Sequence, residues 1–450
     1  MLGERSMVWA AVVAALTLVV GCAPGGAGQA PDTGQRVKLV YFNARGAEAA
    51  ERKLIERYQH DHPNVEIEYQ ASTSMQAPSD TDSIANLIFN VQAGTAIDVS
   101  KVEVTRTPLA LMPVHAALDL STLGGQAVTD RLAQLLNNNL AQIKGGIWAL
   151  PYEYDPFGHV YNADLFKQAG LDPDRPPKTW DELRAEARAI KGAFPDTWPI
   201  CHPINNLSKI QPYVWGAGGT FFDRDVLPTK ADFLNPGMRA TYGFVREWAQ
   251  NGWINTEEVN GQRAVQWMVS HQCAGIDYST NLAMQLRAND PDTDWRSTPI
   301  VSMDAGHQPV NFAGGSALIL PATSKHPHEA LDFIMWLTDV QGQRLKWGLD
   351  KDLGLSKEDL ADQATPANRA VATDPALNED PTWKGVLNPV PPRTPGLSPV
   401  YSQVYQVLAD MQERTIRTDN DLDAELAAAQ AKAQQLLDDN VAKQPDLYQP

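Results

Sequence analysis

Apolar and polar positions follow several distinct rhythms along this chain. Met7 to Val20 is apolar throughout apart from Thr17, behind a short head carrying Arg5, and Val19-Val20-Gly21-Cys22 follows at once. Ala23 to Gln35 is rich in Gly, Ala and Pro with almost no apolar bulk, which predicts a flexible tether. Val37-Lys38-Leu39-Val40-Tyr41-Phe42 is dense in β-branched and aromatic residues and predicts a strand. Glu48 to His60 carries Leu54, Ile55 and Tyr58 on one helical face. Pro63-Asn64 stops that helix, and Val65-Glu66-Ile67-Glu68-Tyr69 alternates as a second strand. This β–α–β order predicts a parallel, layered α/β sheet.

The alternation continues. Strands are expected at 97–104, at Ile147 to Tyr152, at Val160-Tyr161-Asn162 and at Ser316 to Leu320. Thr179-Trp180-Asp181-Glu182 has the form of a capping box, followed by Leu183, Ala187 and Ile190 at helical spacing. Met238 to Gln250 reads as an amphipathic helix with Tyr242, Val245 and Ala249 inward and Gly252 just past its end. Pro327 to Val340 places Leu331, Ile334 and Leu337 on a core face. Residues 361–398 are Pro-rich and irregular, and Leu422 to Asp438 forms a closing helix.

The apolar run near the start is about 14 residues long, short of the about 20 that a membrane span needs. With its charged head and small residues at the break, it reads as a cleaved export signal over residues 1–21, the alternative being an uncleaved membrane helix. The remaining length of about 430 residues exceeds one ordinary core and predicts two lobes. The net charge of −17 argues against nucleic acid as a partner and gives no attraction to anionic lipid surfaces. Twelve Trp and twelve Tyr belong mostly to the core, but flat rings also suit the C–H faces of sugars. Cys201 and Cys273 can form a disulfide in an oxidising compartment, the alternative being two buried thiols.

Several motifs fail. Asp290, Asp292 and Asp294 alternate like a calcium loop, but Trp295 and Val301 stand where Gly and Glu are needed. The nine His show no metal spacing, and no Walker or Gly-x-Ser-x-Gly motif is present. No metal, cofactor or catalytic residue is therefore expected, and Asp155 with Asp277 is no evidence for a glycosidase in so acidic a chain.

The setting of Cys22 resembles the lipobox of bacterial lipoproteins, in which the signal is cut before a Cys that then carries lipid. Four stretches carry a wider resemblance. The first is the opening strand with Glu51 to Tyr58 and His62-Pro63-Asn64-Val65. The second is Gly146 to Tyr152, then Tyr161 to Phe166, Ala169-Gly170-Leu171 and Pro177 to Leu183. The third is Trp215-Gly216-Ala217-Gly218-Gly219 leading into the helix at Met238. The fourth is Gly314 to Leu318, Ser324-Lys325-His326 and Trp336-Leu337-Thr338. In this order they resemble the extracellular solute-binding proteins of ABC importers, in the sugar-binding group that includes maltose-binding protein.

The resemblance implies an α/β, two-lobe periplasmic-binding-protein-like fold, hinged, with the ligand cleft between the lobes. Crossings are expected near Asp155–Val160, near Ser297–Ser302 and after Val340. The N-terminal lobe then comprises 36–155 plus 302–340, and the C-terminal lobe 156–301 plus 341–450. Matching positions give as ligand contacts Asn43, Arg45, Glu103, Arg106, Tyr152, Asp155, Tyr213, Trp215, Asp277, Tyr278, Gly314, Gly315, Arg393 and Tyr401. The stretch Ile276-Asp277-Tyr278-Ser279-Thr280 departs from the Gly-Ser-Trp common in relatives. The implied function is capture of a sugar or oligosaccharide without turnover, by a monomer held outside the cytoplasm through lipid on Cys22, for delivery to ABC permease subunits. A glycerophosphodiester or polyol is the alternative ligand, with Arg45, Arg106 or Arg393 meeting a phosphate. An extracytoplasmic glycosidase on a similar scaffold is the rival class.

Overall fold

A computed structural model describes residues 36–43, 48–71, 80–202, 206–257, 261–356, 359–360, 364–387, 392–393 and 396–449. The export signal, the tether and Cys22 lie outside the described residues. The main elements begin with β1 (Val37–Asn43), α1 (Glu48–Asp61), β2 (Val65–Ala71), α2 (Asp80–Gln92) and β3 (Val99–Glu103). α3 (Leu120–Ala133), the long β4 (Leu150–Asn162), α4 (Trp180–Ala193) and β5 (Trp198–Cys201) follow. Next come α5 (Pro236–Gln250), β6 (Cys273–Ser279), α6 (Thr280–Asn289) and β7 (Trp295–Thr298). The chain then forms β8 (Ala313–Ile319), α7 (Pro327–Leu337), α8 (Val340–Lys346), α9 (Pro381–Leu387), α10 (Tyr401–Arg417) and α11 (Leu422–Lys443).

The strands form one sheet in the order β2-β1-β3-β8-β4-β6-β5, with β7 and a two-residue strand Thr365–Pro366 also on β4. β1 is parallel to β2 and β3, as the β–α–β reading expects. The rest of the sheet is mixed rather than parallel. β8 runs antiparallel to β3 and β4, because it re-enters this half after the chain has passed through the other. β6 and β7 are antiparallel to β4, and β5 is parallel to β6.

β4 joins the two strands expected at 147–152 and 160–162 into one. Leu150–Pro156 pairs with β8, and Phe157–Asn162 pairs with β6 and β7. Pro156 stands opposite Ala313 at the changeover. A proline has no N–H for the ladder, so it fits where one partner ends and the next begins. Beside it Gly315 has φ +128, and a side chain there would strike the Glu153 carbonyl. Only glycine lets β8 approach β4 so closely.

Two large apolar cores lie on either side of this changeover. One gathers Leu39, Tyr41, Leu54, Val99, Leu150, Leu318, Phe333 and Ile334. The other gathers Trp180, Tyr213, Trp215, Tyr242, Trp248, Leu408 and Leu426. α4 opens with the expected capping box, in which Thr179 and Glu182 bond each other's backbone N–H. The helix expected over 327–340 ends at Leu337. Asp339 accepts from Gly342 N at 2.7 Å and starts α8 instead.

A buried charge cluster sits in the first core. Lys101 Nζ lies 2.9 Å from Glu153 Oε1 and 3.3 Å from Glu51 Oε1. Lys346 Nζ lies 2.5 Å from the same Glu153 oxygen and 3.5 Å from Glu51 Oε1. Ser316 Oγ donates to Glu153 Oε2 at 2.6 Å, and Tyr41 and Tyr152 hydroxyls donate to Glu51 Oε2 at 3.2 and 3.3 Å. Burial pushes the Glu153 carboxyl up, but the two ammoniums outweigh it and hold it well below its ordinary range.

This cluster explains a difference from the lobe boundaries expected from sequence. Residues after 340 were expected in the second lobe, yet α8 packs on α1 and delivers Lys346 to the buried carboxylates. Gln343 Nε2 donates to Tyr152 O at 3.0 Å, Thr365–Pro366 pairs with β4 at Tyr154 and Glu153, and Asn368 Nδ2 donates to Thr338 O at 3.1 Å. The chain joins the second core again with α10 and α11, while Trp383 of α9 packs with Val160, Ile276 and Trp295. Replacing Lys346 by Met leaves the cluster one buried cation short. The expected loss is about 3–5 kcal/mol of unfolding free energy, measured by urea denaturation; a variant as stable as the parent would show that Lys346 is dispensable.

Candidate functional site

The changeover in β4 brings residues of both cores together. Asp155, the residue before Pro156, faces Gly314 in register. Its Oδ1 accepts from Thr280 Oγ1 at 2.8 Å and Asn281 N at 3.3 Å. Ser279, at the N-cap of α6, makes no side-chain cap bond, so Asp155 serves the first turn from another strand. Burial raises the Asp155 pKa despite these donors and the nearby Lys209. Gly314 O accepts from Asn137 Nδ2 at 2.8 Å. Phe157 lies just past the changeover, and its ring is 4.9 Å from that of Phe312. Phe312 stands on the returning chain just before β8, so the two crossing segments touch here.

Lys209 ends a short turn, Leu207–Lys209, and reaches the same place. Its Nζ lies 3.4 Å from the centroid of the Phe157 ring and 3.6 Å from that of Tyr278. Tyr278 is thus near Asp155 and Phe157. The sequence reading missed Lys209, whose one signal is a lone cation before Ile210-Gln211-Pro212.

A second group joins the cores along another line. Glu103 ends β3 and accepts from Thr105 N at 2.8 Å, Thr105 Oγ1 at 2.6 Å and Arg106 N at 2.9 Å. Arg106 from the first half lies 5.9 Å from the Tyr405 ring of α10. Tyr401, which opens α10, is buried close to Arg106 and Gln211. Trp215 and Arg393 form a third contact, with the guanidinium 5.9 Å from the Trp ring centroid and Arg393 Nε 3.3 Å from Asp225.

Other expected contacts are committed elsewhere. Tyr152 belongs to the first core. It is fully buried in the charge cluster, with Lys346 Nζ 3.7 Å from its ring centroid. Asn43 is buried and donates to Tyr69 OH at 2.8 Å, on the far side of β1 from β8. Arg45 lies outside the described residues. Cys201 and Cys273 are bonded, with Cα atoms 5.7 Å apart, and tie β5 to β6.

Asp277 and Tyr213 also turn inward, into a buried polar chain. Asp277 Oδ1 lies 2.9 Å from His159 Nδ1, and Asp277 Oδ2 accepts from Tyr213 OH at 2.7 Å. Glu186 Oε1 lies 3.8 Å from His159 Nε2. The two carboxylates flank one imidazole, and His159 is raised because Asp277 outweighs burial. Burial, with Asp277 adding, pushes Glu186 up to about 7. A carboxyl raised on folding holds its proton when the unfolded chain has already lost it, so stability falls as pH rises from the ordinary Glu value to about 7. That loss is up to about 3 kcal/mol. Glu186→Gln is expected to remove it, so its stability relative to the parent rises across that window in urea titrations at stepped pH; a difference independent of pH would exclude Glu186 as the titrating group.

Residues 43–344 match the model of the family described as bacterial extracellular solute-binding protein. Among curated proteins, the sn-glycerol-3-phosphate-binding periplasmic protein UgpB of Shigella flexneri is 35% identical over 84 residues, 18% of this chain and 19% of that protein. The matched stretch thus spans about a fifth of that relative's length. Among solved structures, the sugar-binding protein MalE of Xanthomonas citri superposes with a TM-score of 0.76 at 16% identity, covering 92% of this chain and all of that one. UgpB of Mycobacterium tuberculosis in complex with glycerophosphocholine gives 0.73 at 20% identity, over 89% of this chain and 98% of that one. The fold is that of the two-lobe periplasmic binding proteins, and with the family model matching more than half its length, this chain belongs to the bacterial extracellular solute-binding proteins.

Proposed function

We propose that this chain is the capture component of an ABC importer. It takes a small polyhydroxylated solute, a sugar or a glycerol ester, into the crevice at the β4 changeover and hands it unchanged to the permease. One observation carries this reading: a single strand, β4, and the returning chain at Phe312 pass between two separately packed cores, with polar side chains gathered where they pass. Such an arrangement lets two halves swing about a few backbone positions and close on a ligand. The named relatives MalE and UgpB support a sugar or a glycerophosphate compound as the class. Asp155, Tyr278, Gly314 and Gly315 are the proposed contacts at the changeover. Glu103, Arg106, Tyr401, Trp215 and Arg393 are the proposed contacts along the rest of the crevice.

The reading includes removal of residues 1–21, a lipid on Cys22 and a monomer working outside the cytoplasmic membrane. The apolar run ending at Cys22 and the family's extracellular setting support it.

Calorimetry with maltose, maltotriose, sn-glycerol 3-phosphate and glycerophosphocholine is expected to give saturable binding of at least one, with the bound compound recovered intact by mass spectrometry. Turnover of the compound, or no binding to any of the four, counts against capture. Cys22→Ser is expected to shift the expressed protein from the membrane fraction to the soluble fraction, and an unchanged distribution would remove the anchor.

A further inference from the structure

Lys209 is 2% exposed, yet its Nζ makes no hydrogen bond and no ion pair among the described residues. Two aromatic faces hold it, Phe157 of β4 and Tyr278 of β6. The titratable groups facing it are Asp155 on β4, Asp277 and Tyr278 on β6, and His202 just after β5. Neither carboxylate bonds it directly. Asp155 is engaged by Thr280 and Asn281, and Asp277 by His159 and Tyr213. The ring faces attract the ammonium but accept none of its hydrogen bonds in the ordinary sense. The ammonium is therefore left without an oxygen acceptor among the described residues at the point where the chain passes between the cores.

A neutral hydroxyl would be served as well by Asn or Gln, which carry no buried charge to desolvate. An ammonium on a residue so deeply buried and without a direct ion pair gains most from a negatively charged oxygen. We propose that Lys209 is the anion contact of the crevice, donating to a phosphoryl oxygen of a glycerophosphodiester or glycerol phosphate. This assignment rests on the capture reading and narrows it to a phosphorylated glycerol compound. The matches to UgpB agree with that class.

A linked proton gives a signature. Burial holds the Lys209 ammonium below its ordinary range, although Asp155 and Asp277 oppose the shift. An anion at Nζ raises it again, so binding takes up protons wherever free Lys209 is partly neutral, and affinity falls as pH rises through that range.

The test is calorimetry of sn-glycerol 3-phosphate, glycerophosphocholine and maltose, from about pH 6 to about pH 9, in buffers of differing ionisation heat. The expected result is phosphate-ester binding with proton uptake. Lys209→Met, checked for an unchanged melting transition, is expected to weaken that binding tenfold or more and to abolish the uptake. The parent protein carries the proton measurement even if the variant misfolds. Phosphate-ester binding without proton uptake, or unaffected by Lys209→Met in a folded variant, overturns the assignment. Binding of maltose alone overturns it while leaving capture intact, whereas no binding to any of the three removes both.

Discussion

Glu153 accepts two ammonium groups and a hydroxyl at the centre of the first half, and the order of the rest follows from that junction. Its oxygens draw Lys101 from β3, Ser316 from β8 and Lys346 from α8 onto one strand, β4, while Glu51 brings in α1. Two lysines and two glutamates balance in charge, and the tyrosine hydroxyls and Ser316 fill remaining acceptor sites. Such a group is tolerable in a core only when complete. The completeness demands residues spread from 41 to 346, so this half is discontinuous in sequence for an electrostatic reason as well as a topological one.

The same strand changes character three residues on, at Pro156. At its first end β4 is clamped by ions, and beyond Pro156 it passes to β6 and β7 beside the second core. The proposed ligand contacts of the changeover lie at the step between these regimes. Asp155 and Gly314 stand on the clamped side, whereas Phe157, Lys209, Tyr278 and Thr280 come from the other.

Much of the framework is legible in the sequence because it is written in local periods. β1, α1 and β2 follow from alternation and a helical face within 33 residues of chain, Val37 to Tyr69, and the Thr179–Glu182 box depends on four consecutive residues. The site is harder to read. β4 is buried on nearly every position, so period-two alternation does not separate a residue of the charge cluster such as Tyr152 from a residue at the changeover such as Asp155. Lys209 acquires its meaning from Phe157 and Tyr278, both distant in sequence. Asp277 looked like a ligand carboxylate by position, but His159 and Tyr213 claim both its oxygens from inside. The family pattern pointed to a crossing near Asp155–Val160; side-chain direction there follows from long-range contacts that no local window contains.

The bond between Cys201 and Cys273 sits where the sheet ends. β5 is its outermost strand on that margin and is only four residues long. An unprotected margin can peel away and recruit a foreign strand, the route to swapped or fibrous assemblies. Here the last strand is stitched covalently to its neighbour, so peeling would require reduction first. A protein that works outside the protection of cytoplasmic chaperones gains from such a hem, which guards against entanglement with its own copies.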